Sequence, residues 1–251
     1  MTISGQQCAA AALDVLNRVA ASEGPRVAAA ADLIAACLRA DGVVQSFGTG
    51  HSQATALEVA GRAGGLIPTN RLSLIDPVLY GGADPDTIAD PLLERRPEVA
   101  RRIYDLAAPR PQDLFVIVSN SGVNAGVVEM ASLVKSLGHK LIAITSVEYS
   151  GRIEPKHESG KRLGDFADVT LDNGAPYGDA LLALPDGTTA CAVSSMSAAL
   201  LVQMVVAETV ARFEAAGEEP PVYVSTNVPG GFERNLELER PLAGRIRRNA
   251  N

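Results

Sequence analysis

Two short polar segments hold the residue types from which an anion site can be made: Phe47-Gly48-Thr49-Gly50-His51-Ser52 and Ser119-Asn120-Ser121-Gly122-Val123-Asn124. Each follows an apolar run, Val43-Val44 in the first case and Leu114-Phe115-Val116-Ile117-Val118 in the second. Each leads into an Ala-rich stretch with helical spacing. A strand-to-helix turn rich in Gly, Ser and Thr offers backbone N–H groups, hydroxyls and the positive end of a helix dipole. Together these suit a phosphate without any lysine. Gly48 and Gly50 let the backbone turn tightly and approach a ligand, and Ser52 is expected at the N-cap of the next helix. Ser119 and Ser121 are expected at a second helix N-terminus. One such loop reads as turn glycines and caps; two in successive units point to a site.

The motif is not a dinucleotide or nucleotide loop. A Rossmann fingerprint needs a third glycine where Gln53 stands, and no Gly-Lys-Ser/Thr of a Walker loop follows.

The elements that position these loops are legible in the hydrophobic periodicity. Residues 5–40 read as two helices broken at Gly24-Pro25, and a strand follows at Val43–Ser46. Helices are expected at Ser52–Arg62, Arg95–Ala107 and Asn124–Leu137, and one long apolar helix at Cys191–Ala216. Strands are expected at Leu114–Val118, Leu141–Thr145 and Val169–Leu171, with short candidates at Leu66-Ile67 and Leu72–Ile75. Asp76–Pro91 reads as a loop. Strand and helix alternating at this spacing mean parallel βαβ units, with ligands bound at the carboxyl ends of the strands. With no low-complexity linker, residues 1–251 are expected to form one domain, the helices at 5–40 packing on its core or on a partner subunit.

Composition narrows the function classes. Nearly half of the 251 residues are apolar, enough for a substantial core, but aromatics are scarce and Trp is absent. Scarce aromatics and a net charge of -7 disfavour nucleic-acid binding. The basic cluster Arg245, Arg247 and Arg248 reads as a solvated tail. Cys8, Cys37 and Cys191 are far apart with no CxxC, which speaks against a disulfide framework or zinc site and fits a reducing cytosol. With no basic segment followed by an apolar one at the start, no secretory leader is expected, and no apolar stretch of about 18 residues, hence no membrane span, is expected. No His/Asp/Glu cluster has metal spacing, so the expected chemistry uses neither metal nor cofactor.

The two loops resemble the phosphosugar-binding loops of the SIS (sugar isomerase) domain, over roughly Ala30–Ala216. The resemblance implies a three-layer αβα sandwich around a five-stranded parallel sheet, flavodoxin-like, here with an N-terminal helical extension. It implies a homodimer or dimer of dimers with the active site near the subunit interface. It also implies that Gly50, Ser52, Ser119, Asn120, Ser121 and Asn124 hold the phosphate of a sugar phosphate, with Asn124 standing where a Ser or Thr is common.

SIS enzymes mostly remove a proton next to a sugar carbonyl, a step for a carboxylate or His whose pKa is set by its surroundings. Glu58 is the first candidate: a lone carboxylate among Ala54, Ala56, Leu57, Val59 and Ala60 is costly unless paired or used. Arg62, four residues on, supplies the structural alternative as an ion-pair partner. His51 can polarise a carbonyl or contact the phosphate, or be a polar turn filler. In the charge-dense segment 150–162, His157 and Lys161 are candidates to reach a site across a dimer, against a plain surface loop. Glu208 reads as a buried acid, catalytic or satisfied within the core, Asn227 as a substrate contact or turn former, and His139 as a helix-end residue.

The segment from Ser159 to Asp168 and the run Asn227-Val228-Pro229-Gly230-Gly231 look like a branch concerned with amino-sugar phosphates, similar in logic to etherases acting on N-acetylmuramic acid 6-phosphate. The leading expectation is an enzyme that takes the C2 proton of an N-acetylhexosamine 6-phosphate and eliminates water or a C3 substituent. Glu58 would be the base, and His157 or Glu208 the acid. Aldose–ketose isomerisation is the alternative; a sugar-phosphate-sensing regulator is a second, disfavoured by the few basic residues in the first 40.

Overall fold

The computed structural model describes residues 3–247. It opens with α1 (Gly5–Ser22), started by a Ser4/Gln7 capping box, and α2 (Gly24–Arg39), with Pro25 in its first turn. Strand and helix then alternate: β1 (Val44–Gly48), α3 (Ser52–Val59), β2 (Thr69–Leu72), α4 (Asp76–Leu79), α5 (Glu98–Ala107), β3 (Leu114–Val118), α6 (Ala125–Ser136), β4 (Lys140–Thr145), α7 (Val147–Arg152) and β5 (Val169–Asp172). A hairpin of β6 (Ala180–Ala183) and β7 (Thr189–Ala192) precedes α8 (Ser194–Ala215) and α9 (Gly231–Glu239).

The five-stranded sheet has the order β2-β1-β3-β4-β5, every neighbouring pair parallel. Alternate side chains divide between two cores, as the period of 2 requires. Val116, Val118, Ile142 and Ile144 face α1, α2 and α8 through Val15, Val19, Val27, Ile34, Leu201 and Val205. Phe115, Ile117, Leu141 and Ala143 face α5 and α6 through Ile103, Val127, Met130 and Val134. This is the expected three-layer αβα sandwich, and the N-terminal helices lie within one of its layers. Because β1 leads to β2 on one side and β3 stands on its other side, the chain reverses direction across the sheet between β1 and β3. In open α/β sheets that switch point is where ligands bind.

Several expectations need correction. The helix expected from Cys191 starts at Ser194, because Cys191 lies in β7 with φ 67°. Asp179 takes the N–H groups of Val193 and Ser194, at 3.2 and 2.8 Å, and thereby fixes the new start. The turn of the hairpin is Leu184-Pro185-Asp186-Gly187, a turn signature that the long-helix reading passed over. Neither strand candidate near residue 70 forms as expected: the strand that joins the sheet is Thr69–Leu72, sharing only Leu72 with the expected Leu72–Ile75, while Leu66 bridges to Val222 and Ile75 precedes α4 at its N-cap. The expectation of no membrane-length apolar stretch also fails, since α8 is long and apolar enough to cross a membrane by length and composition. Its buried side chains pack into the core with α1 and α2.

The basic tail is not solvated. The Arg245 guanidinium is ion-paired with the buried Asp113, and Arg247 pairs with Asp76 at 3.1 Å while lying 4.2 Å over the Tyr80 ring. The partners are over a hundred residues away in sequence, so a local charge pattern could not reveal them. Arg248 lies outside the described residues.

At the start of β5, Asp168 ties two segments together. It accepts from Lys135 at 2.6 Å, Lys140 at 3.2 Å and the Leu141 N–H at 2.8 Å. Burial pushes its carboxyl up, but these donors outweigh burial and hold it below the usual carboxylate range. A depressed folded-state pKa stabilises the fold above the ordinary carboxylate pKa, and this is lost as pH falls through the folded value. Asp168→Asn should therefore cost about 1–2 kcal/mol at neutral pH. Chemical denaturation at pH 7 and pH 3 checks this: the gap between the two proteins should close in acid.

Candidate active site

The first loop leaves β1 at Gly48, where a Cβ would stand 2.6 Å from the Ser52 carbonyl oxygen, so only glycine permits the turn. Gly50 (φ 54°) and Gly122 (φ 64°) take the left-handed conformation that glycine tolerates. The second loop leaves β3, the hydrogen-bonded neighbour of β1, so both loops stand at the switch point.

The second loop is braced from below. Ser119 Oγ accepts from the Gly122 N–H at 3.1 Å. The Asn120 carbonyl takes Ser146 N–H at 3.1 Å and Thr145 Oγ1 at 3.2 Å. Asn120 Oδ1 takes Asn173 Nδ2 at 3.0 Å, which ties the loop to the end of β5. Asn120 and Ser119 thus shape the loop, whereas the hydroxyls of Ser52 and Ser121 make no hydrogen bond among the described residues. Neither α3 nor α6 has a side-chain cap. The N–H groups of Ser52, Gln53 and Ala54 donate to the carbonyls of Thr49, Gly50 and His51 at 3.0, 3.2 and 3.0 Å, so α3 offers an anion its dipole and the Ser52 hydroxyl. In detail, His51 rather than Ser52 stands at the N-cap position of α3, and Ser52 is the first helical residue; Asn124 stands at the N-cap position of α6 without bonding the helix through its side chain.

The structure adds a residue that pattern reading missed. Glu94, on a single helical turn at Leu93–Arg95, accepts from Asn124 Nδ2 at 3.2 Å through Oε1. Its Oε2 is 3.5 Å from where a Cβ on Gly50 would project. One carboxylate therefore faces both loops. It lines a cavity of about 520 Å³ with Gly50, Gln53, Arg71, Ser73 and Asp90. Arg71, at the end of β2, is half-buried and makes no hydrogen bond or ion pair among the described residues; its charge acts on nearby Asp76. Burial pushes the Asp76 carboxyl up, against the Ser73 N–H and the charges of Arg247 and Arg71. The signal for Glu94 and Arg71 was positional: a long irregular segment beginning at the carboxyl edge of β2.

The other candidates are scattered. Glu58 Oε1 accepts from Gln203 Nε2 at 2.6 Å and is ion-paired with Arg62. It lies five residues, about 140° of helix turn, from Gln53, so it projects from a different face of α3. His51 is exposed. His157 is buried with both ring nitrogens engaged, Nε2 with Glu129 at 2.8 Å and Nδ1 with Ser159 Oγ at 2.8 Å, which fastens its segment to α6. The Lys161 ammonium lies 5.0 Å over the Phe166 ring. Glu208 is not buried: its side chain is 51% exposed and pairs at 2.8 Å with Arg212, which also pairs with Asp32. Nearly continuous apolarity around α8 gave no phase from which to place it. Asn227 is exposed in the turn before α9, its N–H donating to Ser225 Oγ at 3.3 Å. His139 is buried beside the start of β4, between Tyr104 and the Asp113 carbonyl. Among the described residues, no group of three or more His, Cys, Asp or Glu side chains is placed to hold a metal ion.

Comparison with known proteins agrees with this architecture. Solved structures with a similar fold include a phosphoheptose isomerase from Francisella tularensis, with a TM-score of 0.53 at 17% identity over 79% of this chain and 92% of that one. Another is a phosphoheptose isomerase from Neisseria gonorrhoeae, with a TM-score of 0.53 at 18% identity over 80% and 94% of the two chains. In sequence, a UPF0309 protein of Listeria monocytogenes is 42% identical over 219 residues, 86% of this chain and 88% of that protein. A UPF0309 protein of Streptomyces coelicolor is 38% identical over 239 residues, 94% of each. The SIS domain family model matches residues 7–146, which takes in α1, α2 and both loops. The chain belongs to the SIS domain family and groups with its UPF0309 relatives.

Proposed function

We propose that the protein binds an N-acetylhexosamine 6-phosphate at the two loops, removes the proton at C2 and eliminates water or another C3 substituent. The observation that carries this reading is the convergence, at the β1/β3 switch point, of the free hydroxyls of Ser52 and Ser121 with the N-terminus of α6, which has no side-chain cap. A phosphate bound there leaves the adjoining cavity, about 520 Å³, for the sugar, a size suited to a small ligand. The phosphoheptose isomerases that share this fold support a phosphorylated sugar.

Deprotonation at C2 of the open-chain aldehyde gives an enolate common to two outcomes. With a free hydroxyl at C2, proton return at C1 yields a ketose. With an N-acetyl group at C2 that route is less accessible, and expulsion of the C3 oxygen becomes the open path. The amino-sugar-like segments at Ser159–Asp168 and Asn227–Gly231 favour the second outcome.

Proton NMR of the protein with N-acetylglucosamine 6-phosphate in D2O tests the reading. Loss of the C2 proton signal with a new vinylic proton is expected. A ketose signal would replace elimination by isomerisation, and binding without exchange would leave a sugar-phosphate sensor. Ser52→Ala and Ser121→Ala should each weaken binding about tenfold or more, since each removes a hydrogen bond to a charged group. Titration calorimetry measures that loss; unchanged affinity in both variants would move the phosphate elsewhere.

We further propose assembly as a homodimer or dimer of dimers. Only 39% of the apolar window in α8 is buried within one chain, and Leu57, Met196, Phe232 and Leu236 are exposed. Light scattering on the purified protein should give a particle of at least two chains.

A further inference from the structure

We infer that Glu94 is the catalytic carboxylate of this site, the group that takes the C2 proton; the inference rests on the substrate reading above. Position is the first ground. Glu94 is the one acid among the candidates whose carboxylate faces both phosphate loops, bonded to Asn124 Nδ2 at 3.2 Å and lying 3.5 Å from where a Cβ on Gly50 would project. The cavity that Glu94 lines opens beside Gly50 of the first loop and gives the carbons of a sugar held there by its phosphate room to lie along that carboxylate.

Availability is the second. A general base needs a free lone pair near the proton it takes. Glu94 receives one neutral amide donor and no ion pair among the described residues, so it is held in place without being neutralised. Glu58 is shared between Arg62 and Gln203, His157 has both nitrogens occupied, and Glu208 is paired at the surface. The amide at Asn124 gains an explanation: a Ser or Thr hydroxyl there would be too short to orient Glu94.

The third is support. Gly126, in the first turn of α6, lets the 94–96 backbone approach so closely that a Cβ would stand 2.6 Å from the Glu94 carbonyl oxygen. The segment that bears the carboxylate is thus seated directly on the helix that begins at the second loop.

The step balances with one carboxylate. Glu94 takes the C2 proton, and the C–H electron pair becomes the C1=C2 bond of an enolate with its charge on O1. The enolate then re-forms the C1 carbonyl, the pair moves to C2=C3, and the C3–O bond breaks with its electrons on the departing oxygen. That oxygen takes the proton from Glu94 and leaves as water, which restores the carboxylate.

The test is Glu94→Gln assayed by C2 deuterium exchange with N-acetylglucosamine 6-phosphate, alongside calorimetric binding. Exchange should fall at least 1000-fold while affinity stays within about threefold, because the amide keeps the shape but not the basicity. Glu94→Ala should be similarly slow and regain at least tenfold on addition of sodium formate, a rescue that a misfolded variant would not show. Exchange in Glu94→Gln within tenfold of wild type, or abolition by Glu58→Gln while Glu94→Gln still exchanges, overturns the assignment. Wild-type protein that neither binds nor exchanges this sugar phosphate overturns the substrate reading, and the assignment with it.

Discussion

Gly126→Ala is expected to slow C2 exchange about 100-fold or more, the penalty of roughly 1 Å of misplacement at a reacting group. The added methyl would lie 2.6 Å from the Glu94 carbonyl and 3.4 Å from the Arg96 carbonyl, so α6 and the 93–96 segment must separate. Because the contact is to backbone, no rotamer change relieves it, and Glu94 moves with its chain. Stability should change less than activity. Overpacking costs about 1–3 kcal/mol, and the better helix propensity of alanine offsets up to about 1 kcal/mol of that. Parallel measurement of exchange rate and thermal midpoint separates the two effects. Full exchange in the variant would mean that the segment yields without shifting its carboxylate.

Arg245→Met should be the most damaging single change to stability. Asp113 is 2% exposed, and Arg245 is its one cationic partner among the described residues. Asp113 would keep the N–H groups of Val43 and Arg110 and the Gln45 amide, at 2.9, 3.1 and 3.1 Å, but would become a buried charge without a counter-ion. Breaking a buried pair from one side costs about 3–5 kcal/mol. For a chain of this size that corresponds to a fall of roughly 6–20 °C in the melting midpoint. Adding Asp113→Asn should recover part of the loss, since the amide needs no counter-ion. A single variant that melts within 2 °C of wild type would show Asp113 to be satisfied by its neutral donors alone.

What could be read from the sequence was local. Leu114–Val118 and Lys140–Thr145 are buried strands because their apolar runs are short and bounded by turns. Both loops stood out because Gly, Ser and Asn act on their own neighbourhood. Glu94 was not visible for the opposite reason: its place depends on Gly126 and Asn124, thirty residues on, and nothing in Leu93-Glu94-Arg95-Arg96 marks it. Glu58 drew attention as an acid among apolar residues, yet Gln203 and Arg62 are what surround it. Arg245 and Arg247 read as solvated because the acids that hold them are remote in sequence. Side chains placed by long-range contacts are the ones a periodicity cannot locate.

The switch-point site is assembled from loops about seventy residues apart in sequence, joined only when β1 and β3 pair. An unfolded chain has no such site, so a ligand bound there favours the native state by mass action. At a hundredfold excess over its Kd, a sugar phosphate should add about 2.7 kcal/mol. That is a rise of roughly 5–11 °C in the melting midpoint. Hexose, hexosamine and pentose phosphates can therefore be ranked by melting curves alone, before any reaction is followed.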